Sequence, residues 1–561
     1  MSLLQKFFND YLKLNPSYKY YIGITTRLTE HENEFSVEYM KSYENLFSKY
    51  LQLYKKEINK DSDENILLKN ELDQYYNMKE ISNNPTNGDY NVKLDLLPLT
   101  SFHNDISFFI EFMTTFYNIR DEIDVKNFNN IFTNYIKIFD DYIRLMNIGI
   151  KENIVLSKYI CKIVIKQLED LLNNKEYIIK IPSKYNKNKY YLNYLQKVVP
   201  LYSNKLKDLI TYMKTVYLPK CNDKIGYSNL PNGKKLYQAL INSTLTTTDY
   251  TAKKIHNFGL DEVEKIKQEI IKFKDIIGHK NKSYKQFNKF MLSNNEYLYK
   301  NRKDLLKDFN KLRKFIKKEI TDKLFIRDVS YDYEIRILPK QFEKGSALAS
   351  YYPLTFHTAK IKRKGIFYLN TENMNDHKTY NTLSLSIHEA SPGHHYQHVY
   401  PMMHNIPLYK NYIGNNTCYA EGWALYAETL YNYDKSDLSY YGHLNFRLLR
   451  AARLAVDTGI NNFNWSYDKA FKYMSDNIPI TKEEIEREIQ RYISIPTQAI
   501  SYYIGRQIFI EGFEEFEKKN KKINNKYSKD DLYKKYHHLV LKDSNIPMNI
   551  LKDKITNYKL T

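Results

Sequence analysis

Apolar residues recur three and four positions apart along most of this chain, the spacing that lines one face of an α-helix. FSVEYMKSYENLFSKYLQLYKKEI (35–58) shows the pattern, and NNIFTNYIKIFDDYIRLMNIGI (129–150) repeats it. A further helix is predicted over TAKKIHNFGLDEVEKIKQEIIKFKDIIG (251–278), capped by its first Thr, with Glu262 and Lys265 on its solvent face. SNNPTNGDYN (82–91) is a turn cluster, NNKEYIIKIPSKYNKN (173–188) a second break, and EKKNKKINNKYSKDD (517–531) a charged surface loop. One region departs from the helical period. Residues 333–373, ending in GIFYLNTEN, alternate β-branched and aromatic side chains between Gly and Pro punctuation. A small sheet is predicted there, just before a His-rich helix. An extended peptide can pair with the edge of such a sheet.

Composition adds limits rather than chemistry. Of 561 residues, 42% are hydrophobic and 27% charged, which is globular; 16 Gly and 15 Pro are few for the length and fit long regular elements. The net charge of +20 raises nucleic acid or an anionic surface as a partner. The basic residues are dispersed, however, as in KLRKFIKKEITDK (311–323), acids are interleaved, and no aromatic-and-basic recognition motif stands out. Richness in Lys, Asn, Ile and Tyr has the look of an AT-rich coding sequence, so the excess Lys reads as solvated helix faces and nucleic acid is not the expected partner. Cys161, Cys221 and Cys418 are widely separated and odd in number, which gives neither a disulfide framework nor a thiolate zinc site, and favours a reducing compartment. The first residues, MSLLQKFFNDYLKLNP, lack a continuous apolar stretch and a small-residue cleavage site. Nor does any stretch reach the roughly 20 apolar residues of a membrane span. A soluble, intracellular (cytoplasmic) protein without signal peptide or membrane partner is expected.

The chemistry concentrates at SLSIHEASPGHHYQH (384–398). Five of the 14 histidines (His388, His394, His395, His398 and His404) fall in 17 residues beside Glu389, the usual composition of a zinc site. An ideal helix turns about 100° and rises about 1.5 Å per residue. His388 and His394 would then lie on different faces, and His388 and His395 about 10 Å apart along the axis, too far for one ion. Pro392 lacks the N–H that would bond the carbonyl of residue 388, and Gly393 tolerates unusual dihedrals. A bulge absorbing two extra residues would return His394 to a ligand position. His394 and His398, at i and i+4, form a rival pair that needs no distortion but leaves Glu389 poorly placed as a base. For an acidic third ligand, CYAEGWALYAETLY (418–431) offers Glu421 and Glu428 on an otherwise apolar helical stretch, where carboxylates are costly to bury unpaired.

At these residues the sequence resembles the domain-of-unknown-function family 885, itself similar to divergent gluzincin-type zinc metallopeptidases. The hallmark string His-Glu-x-x-Pro-Gly-His-His-x-Gln is complete from His388 to Gln397, and Glu-Gly-Trp-Ala-Leu-Tyr runs from Glu421 to Tyr426. RLLRAARLAVDTGI (447–460), RYISIPTQAISYYIG (491–505), residues 217–263 and the SYYPLT…GIFYLN segment match further blocks in the same order. The resemblance covers about residues 200 to 555 well and the N-terminal third only in helical character. One departure is Asn461, where the family usually has His.

The resemblance implies His388, His394 and Glu421 as ligands of Zn2+ and Glu389 as general base. It also implies His395 as a second ligand-supporting or substrate contact, Glu428 as a carboxylate orienting a ligand, and Tyr502 as oxyanion donor. Gln498 and Arg506, on one predicted helix, would meet a substrate carboxylate. Arg450, Arg453 and Asp457 are either part of that site or a buried structural network. The expected fold is mainly α: a large helical body around a deep cleft, with a small β-sheet preceding the metal-binding helix, as in gluzincins. An N-terminal helical region (1–200) and a catalytic zincin-like region (201–561) are expected to form one continuous body. The expected function is zinc-dependent hydrolysis of peptide bonds in short peptides. A non-peptide amide hydrolase on the same scaffold, or a catalytically inactive basic binding protein, are the alternatives.

Overall fold

Several helices of this chain begin where a short polar side chain caps them. Ser36 accepts a hydrogen bond from the Tyr39 N–H, and Thr251 accepts one from the Lys254 N–H. The computed structural model describes residues 1–60, 62–82, 96–102, 104–329, 333–343, 346–355, 360, 363–413, 416–523 and 527–558. They are mainly helical, with a single three-stranded sheet among them. In the N-terminal third, helix α1 (Leu3–Leu14) packs on α2 (Val37–Lys55) and α3 (Asp63–Ser82). The helix predicted at 129–150 is two, α4 (Glu122–Tyr135) and α5 (Ile138–Lys151), because the chain turns at Ile136 and Lys137. Thr251 opens α6 (Ala252–Ile276) as predicted. Glu262 is not on its wet face: its side chain is 13% exposed, and it accepts a hydrogen bond from the Tyr503 hydroxyl at 2.8 Å besides its pair with Lys265 at 2.7 Å. The break at 173–188 is present, while the turn cluster at 82–91 lies outside the described residues from 83 onward.

The sheet lies where β-branched alternation placed it. After α7 (Arg302–Ile316) come β1 (Tyr333–Ile337), β2 (Ala349–Tyr352) and β3 (Gly365–Leu369), in the order β1–β3–β2. β1 runs parallel to β3, with Tyr333 opposite Gly365; β2 runs antiparallel, with Ala349 opposite Leu369. Phe367 and Leu369 point into a small core with Phe309 of α7, Leu385 and Ala390. That core seats helix α8 (Thr382–Glu389) against the sheet. Next come α9 (His394–Val399), α10 (Thr417–Ala427), α11 (Leu438–Asn461), α12 (Lys482–Ser494) and α13 (Ile500–Ile523). The surface loop predicted from residue 517 is corrected here, since α13 continues to Ile523 and another helix starts at Lys529.

Two of these helices meet backbone to backbone. A Cβ on Gly422 of α10 would lie 2.5 Å from the Gly505 Cα of α13, and one on Gly505 would lie 2.1 Å from the Cys418 carbonyl oxygen. The missing side chains therefore set how near the two helices lie, and with it the distance from Glu421 to Tyr502. One apolar core runs from Leu4 to Ile555, and Cys161, Cys221 and Cys418 are buried in it as free thiols. Replacing Gly505 with Ala is expected to lower the urea-unfolding free energy by about 2–3 kcal/mol, because neither backbone can recede. Unchanged unfolding would show that the α10–α13 contact yields easily.

Candidate metal centre

Pro392 ends a helix rather than widening one, which corrects the predicted bulge. α8 stops at Glu389, residues 390–393 form a turn, and α9 starts at His394. The Gly393 N–H donates to the Ile387 carbonyl at 2.9 Å, and the His395 N–H to the Ala390 carbonyl at 3.0 Å. A Cβ on residue 393 would sit 1.9 Å from the His388 carbonyl oxygen, so the turn closes only over glycine. From α10, the Trp423 indole N–H donates to the Pro392 carbonyl at 2.9 Å, and the Gln397 amide reaches back to the Tyr419 carbonyl at 3.3 Å. The turn is thereby tied to the helix that carries Glu421.

These ties bring three donor atoms together. His388 Nε2 and His394 Nε2 each lie 3.4 Å from Glu421 Oε2, and one ligand atom from each residue falls within 4.8 Å of the others. Among the described residues this is the one group of three or more His, Cys, Asp or Glu that could hold a metal ion. Glu421 Oε2 is buried without a hydrogen-bond partner, a costly state for a carboxylate oxygen. A cation bonded at about 2 Å to all three atoms would satisfy it, and two imidazoles with one carboxylate suit zinc. On the far side of His388, Glu428 Oε1 accepts from Nδ1 at 2.9 Å. That bond assigns the proton to Nδ1 and turns the Nε2 lone pair towards Glu421.

Electrostatics follow from this packing. Burial alone would lower the His388 pKa, but Glu421 and Glu428 overcome it and raise the value to about 9. A lone pair that holds a proton so firmly also attracts a cation. Burial pushes the Glu421 carboxyl up, yet the two imidazoles hold it well below the usual carboxylate range. Burial, with Glu421 nearby, raises Glu389 despite His388, His394 and Arg450. Tyr502 is buried close enough to Glu421 for that carboxylate to oppose its ionisation. Its hydroxyl accepts from the Arg491 guanidinium at 3.0 Å, and the Arg453 guanidinium lies 4.8 Å from its ring centre.

Other predicted residues lie elsewhere. His395 turns away from the donor atoms to the sheet, with Nδ1 2.8 Å from the Tyr351 hydroxyl and its ring 4.7 Å from that of Tyr333. His398 is half-buried beside Tyr351 and kept neutral, its pKa pushed down to about 3 by desolvation; it lines a cavity of about 500 Å³ with Tyr352 and Arg363. The rival pairing of His394 with His398 is therefore not formed. His404 packs against Tyr400 and His538. Gln498 precedes α13 instead of lying on it, and its side-chain Oε1 accepts from Arg491 Nε at 2.9 Å. Arg506 is on α13, buried over the Tyr503 ring.

Asp457 takes the Tyr237 hydroxyl at 2.6 Å and the Thr497 N–H at 3.2 Å, which makes it a brace for the turn before α13. Asn461 completes that brace through the Tyr492 carbonyl and the Tyr227 N–H. Two residues near the site escaped the sequence reading. His443 stacks on Tyr433 with Nδ1 3.9 Å from Glu428 Oε2, and Arg447 reaches Glu269 at 3.3 Å. Their signal was spacing: 443, 447 and 450 share one face of an otherwise apolar helix.

The family described as "Bacterial protein of unknown function (DUF885)" matches residues 16–555, and the chain belongs to that family. Two solved structures share the fold. The "putative lipoprotein from Colwellia psychrerythraea" has a TM-score of 0.81 at 21% identity, covering 99% of each chain. The "putative lipoprotein of unknown function from Shewanella oneidensis" has a TM-score of 0.70 at 16% identity, covering 98% of each. No curated protein matches the sequence. The expectation of a cytoplasmic protein without signal peptide is overturned by these neighbours, since a lipoprotein is exported and lipid-anchored outside the cytoplasm. Buried thiols fit tight packing in any compartment. Among the described residues no helix is long and apolar enough to cross a membrane.

Burial pushes the Asp457 pKa up to about 7, against the hydrogen bonds from Tyr237 and Thr497 that favour its charged form. An acid raised on folding binds more protons folded than unfolded, so its contribution to stability falls as pH rises from about 4 to about 7 and is level above. Urea unfolding at pH 5 and pH 8 should therefore show a smaller pH difference for Asp457→Asn than for the parent. Equal differences would mean that Asp457 titrates normally.

Proposed function

We propose that this DUF885 protein is a zinc-dependent hydrolase that cleaves peptide bonds in short peptides, with gluzincin-like ligands and Glu389 as its base. The observation that carries the reading is the unsatisfied Glu421 Oε2 facing two imidazole nitrogens at 3.4 Å, with Glu428 behind His388. His388, His394 and Glu421 would hold the zinc, which would supply a Lewis acid that makes water easier to deprotonate. Glu389 follows a ligand directly in sequence and is buried, which suits it to take the proton of the attacking water and pass it to the leaving amine. Tyr502 accepts from Arg491 and so keeps its own hydroxyl proton free to donate to the oxygen that gains charge on attack. Glu428 keeps His388 in the tautomer a metal ligand needs. A helical body with few long loops favours small peptides over folded proteins.

Glu389→Gln is expected to keep one zinc per chain and to lose about 10²–10⁴-fold in peptide hydrolysis. Glu428→Gln should weaken zinc binding about 10–100-fold. A chelator-competition titration together with peptide digests read by mass spectrometry measures both. A Glu389→Gln protein that cleaves as well as the parent would remove the general-base assignment. Stoichiometric zinc with no peptide cleavage would shift the reading to a non-peptide amide.

A further inference from the structure

Near Glu389 and Glu428, α11 and α13 bury two arginines that no carboxylate of a described residue contacts. Arg450 and Arg506 are each 8% exposed, and neither forms an ion pair with a described residue. Arg450 makes one long hydrogen bond, 3.4 Å, to the Phe446 carbonyl of its own helix. Arg506 lies with its guanidinium 5.0 Å from the Tyr503 ring centre. The Nε atoms of both, and Nδ1 of His443, which lies 3.9 Å from Glu428 Oε2, are buried without a hydrogen-bond partner. Arg453, one turn further along α11, shows that the fold can do otherwise. It is equally buried and bonds Glu488 twice, at 2.8 Å each.

The carboxylate that both arginines feel is Glu428, and its Oε1 is already taken by His388. Arg450 also feels Glu488 and Glu389, and Arg506 also feels Glu262, but among the described residues none of these carboxylates hydrogen-bonds either guanidinium. A buried guanidinium with no carboxylate in contact is costly, and a ligand that supplies one offsets that cost. Guanidinium groups match planar carboxylates with two parallel hydrogen bonds. Arg450 also acts electrostatically on Glu389, so the pair sits next to the proposed base.

We propose that Arg450 and Arg506 form an anion subsite for the free C-terminal carboxylate of the peptide, so that the protein removes residues from the C-terminus. The inference rests on the hydrolase reading and names its substrate class. Both arginines are specificity-determining residues: they hold the chain end and thereby fix which bond meets Glu389.

The test pairs one hexapeptide as free acid and as C-terminal amide, digested by the zinc-loaded protein and read by mass spectrometry. The acid should lose its C-terminal residue, with kcat/KM at least about 30-fold above that for the amide. Arg450→Met and Arg506→Met should each raise KM for the acid at least about 30-fold, and change KM for the amide far less. Arg506→Lys, which keeps charge without the fork, should fall between. Calorimetric binding of N-acetyl-phenylalanine and of its amide gives a second readout: only the acid should bind, and the Met variants should lose it. Thermal midpoints of the Met variants should stay close to the parent's, because no ion pair with a described residue is broken and a Met stem can keep the ring contacts with Phe446 and Tyr503. Acid and amide that bind and are cleaved alike would overturn the subsite while the hydrolase reading stands. Binding of the acid without cleavage of either peptide would keep the subsite and end the peptidase reading. A lowered midpoint with equal losses on both peptides would make the arginines structural.

Discussion

The site depends on the approach of Gly393 to the carbonyls of Ile387 and His388. Six residues separate His388 from His394, and in a continuous helix that spacing sends the imidazoles to different faces. Ending the helix at Glu389 and folding residues 390–393 tightly over its last turn puts the second ring at the first, with centroids 4.9 Å apart and planes at 85°. No side chain larger than hydrogen fits at 393, and the Pro392 carbonyl is held by Trp423 from the helix that bears the carboxylate. Close packing of Gly422 on Gly505 then carries the same constraint to α13 and to Tyr502. A chain of backbone contacts, with few long side chains, sets the geometry.

Charge is buried on that frame with uneven care. Arg453 with Glu488, and Asp457 with Tyr237 and Thr497, are satisfied within the protein, and both stiffen the approach of α11 to the turn before α13. Glu421 Oε2 and the Nε atoms of Arg450 and Arg506 are left without hydrogen-bond partners in the same neighbourhood. A fold that neutralises some buried ions and leaves others open marks where ligands belong. The open anion faces two imidazoles, which calls for a cation; the open cations adjoin Glu428, which calls for an anion.

Much of this was legible in the sequence, for local reasons. Thr251 announces its helix because capping is a matter of three residues, and alternation in GIFYL announces β3 because side chains in a strand alternate strictly. The trio His388, His394 and Glu421 came from clustering and family resemblance, and the three side chains do converge. Whether Pro392 would widen or end the helix was not legible, because the answer lies in Trp423, 31 residues on. Spacing gives a residue's face but not the element that covers it. So His395 reads as supporting a ligand or touching substrate, and only the fold shows Tyr351 and the sheet beside it; Asp457 reads equally as site or structural network, and only Tyr237 from a distant helix shows the network. The compartment was read from thiols and terminal residues, which report packing as much as location.

The most direct test is crystallographic: data from the zinc-soaked protein on both sides of the zinc absorption edge. The account predicts a single anomalous peak per chain at about 2 Å from His388 Nε2, His394 Nε2 and a Glu421 oxygen, with Glu428 still bonded to His388 Nδ1. A peak ligated by His395 or His398, or no peak among these three side chains, would contradict it.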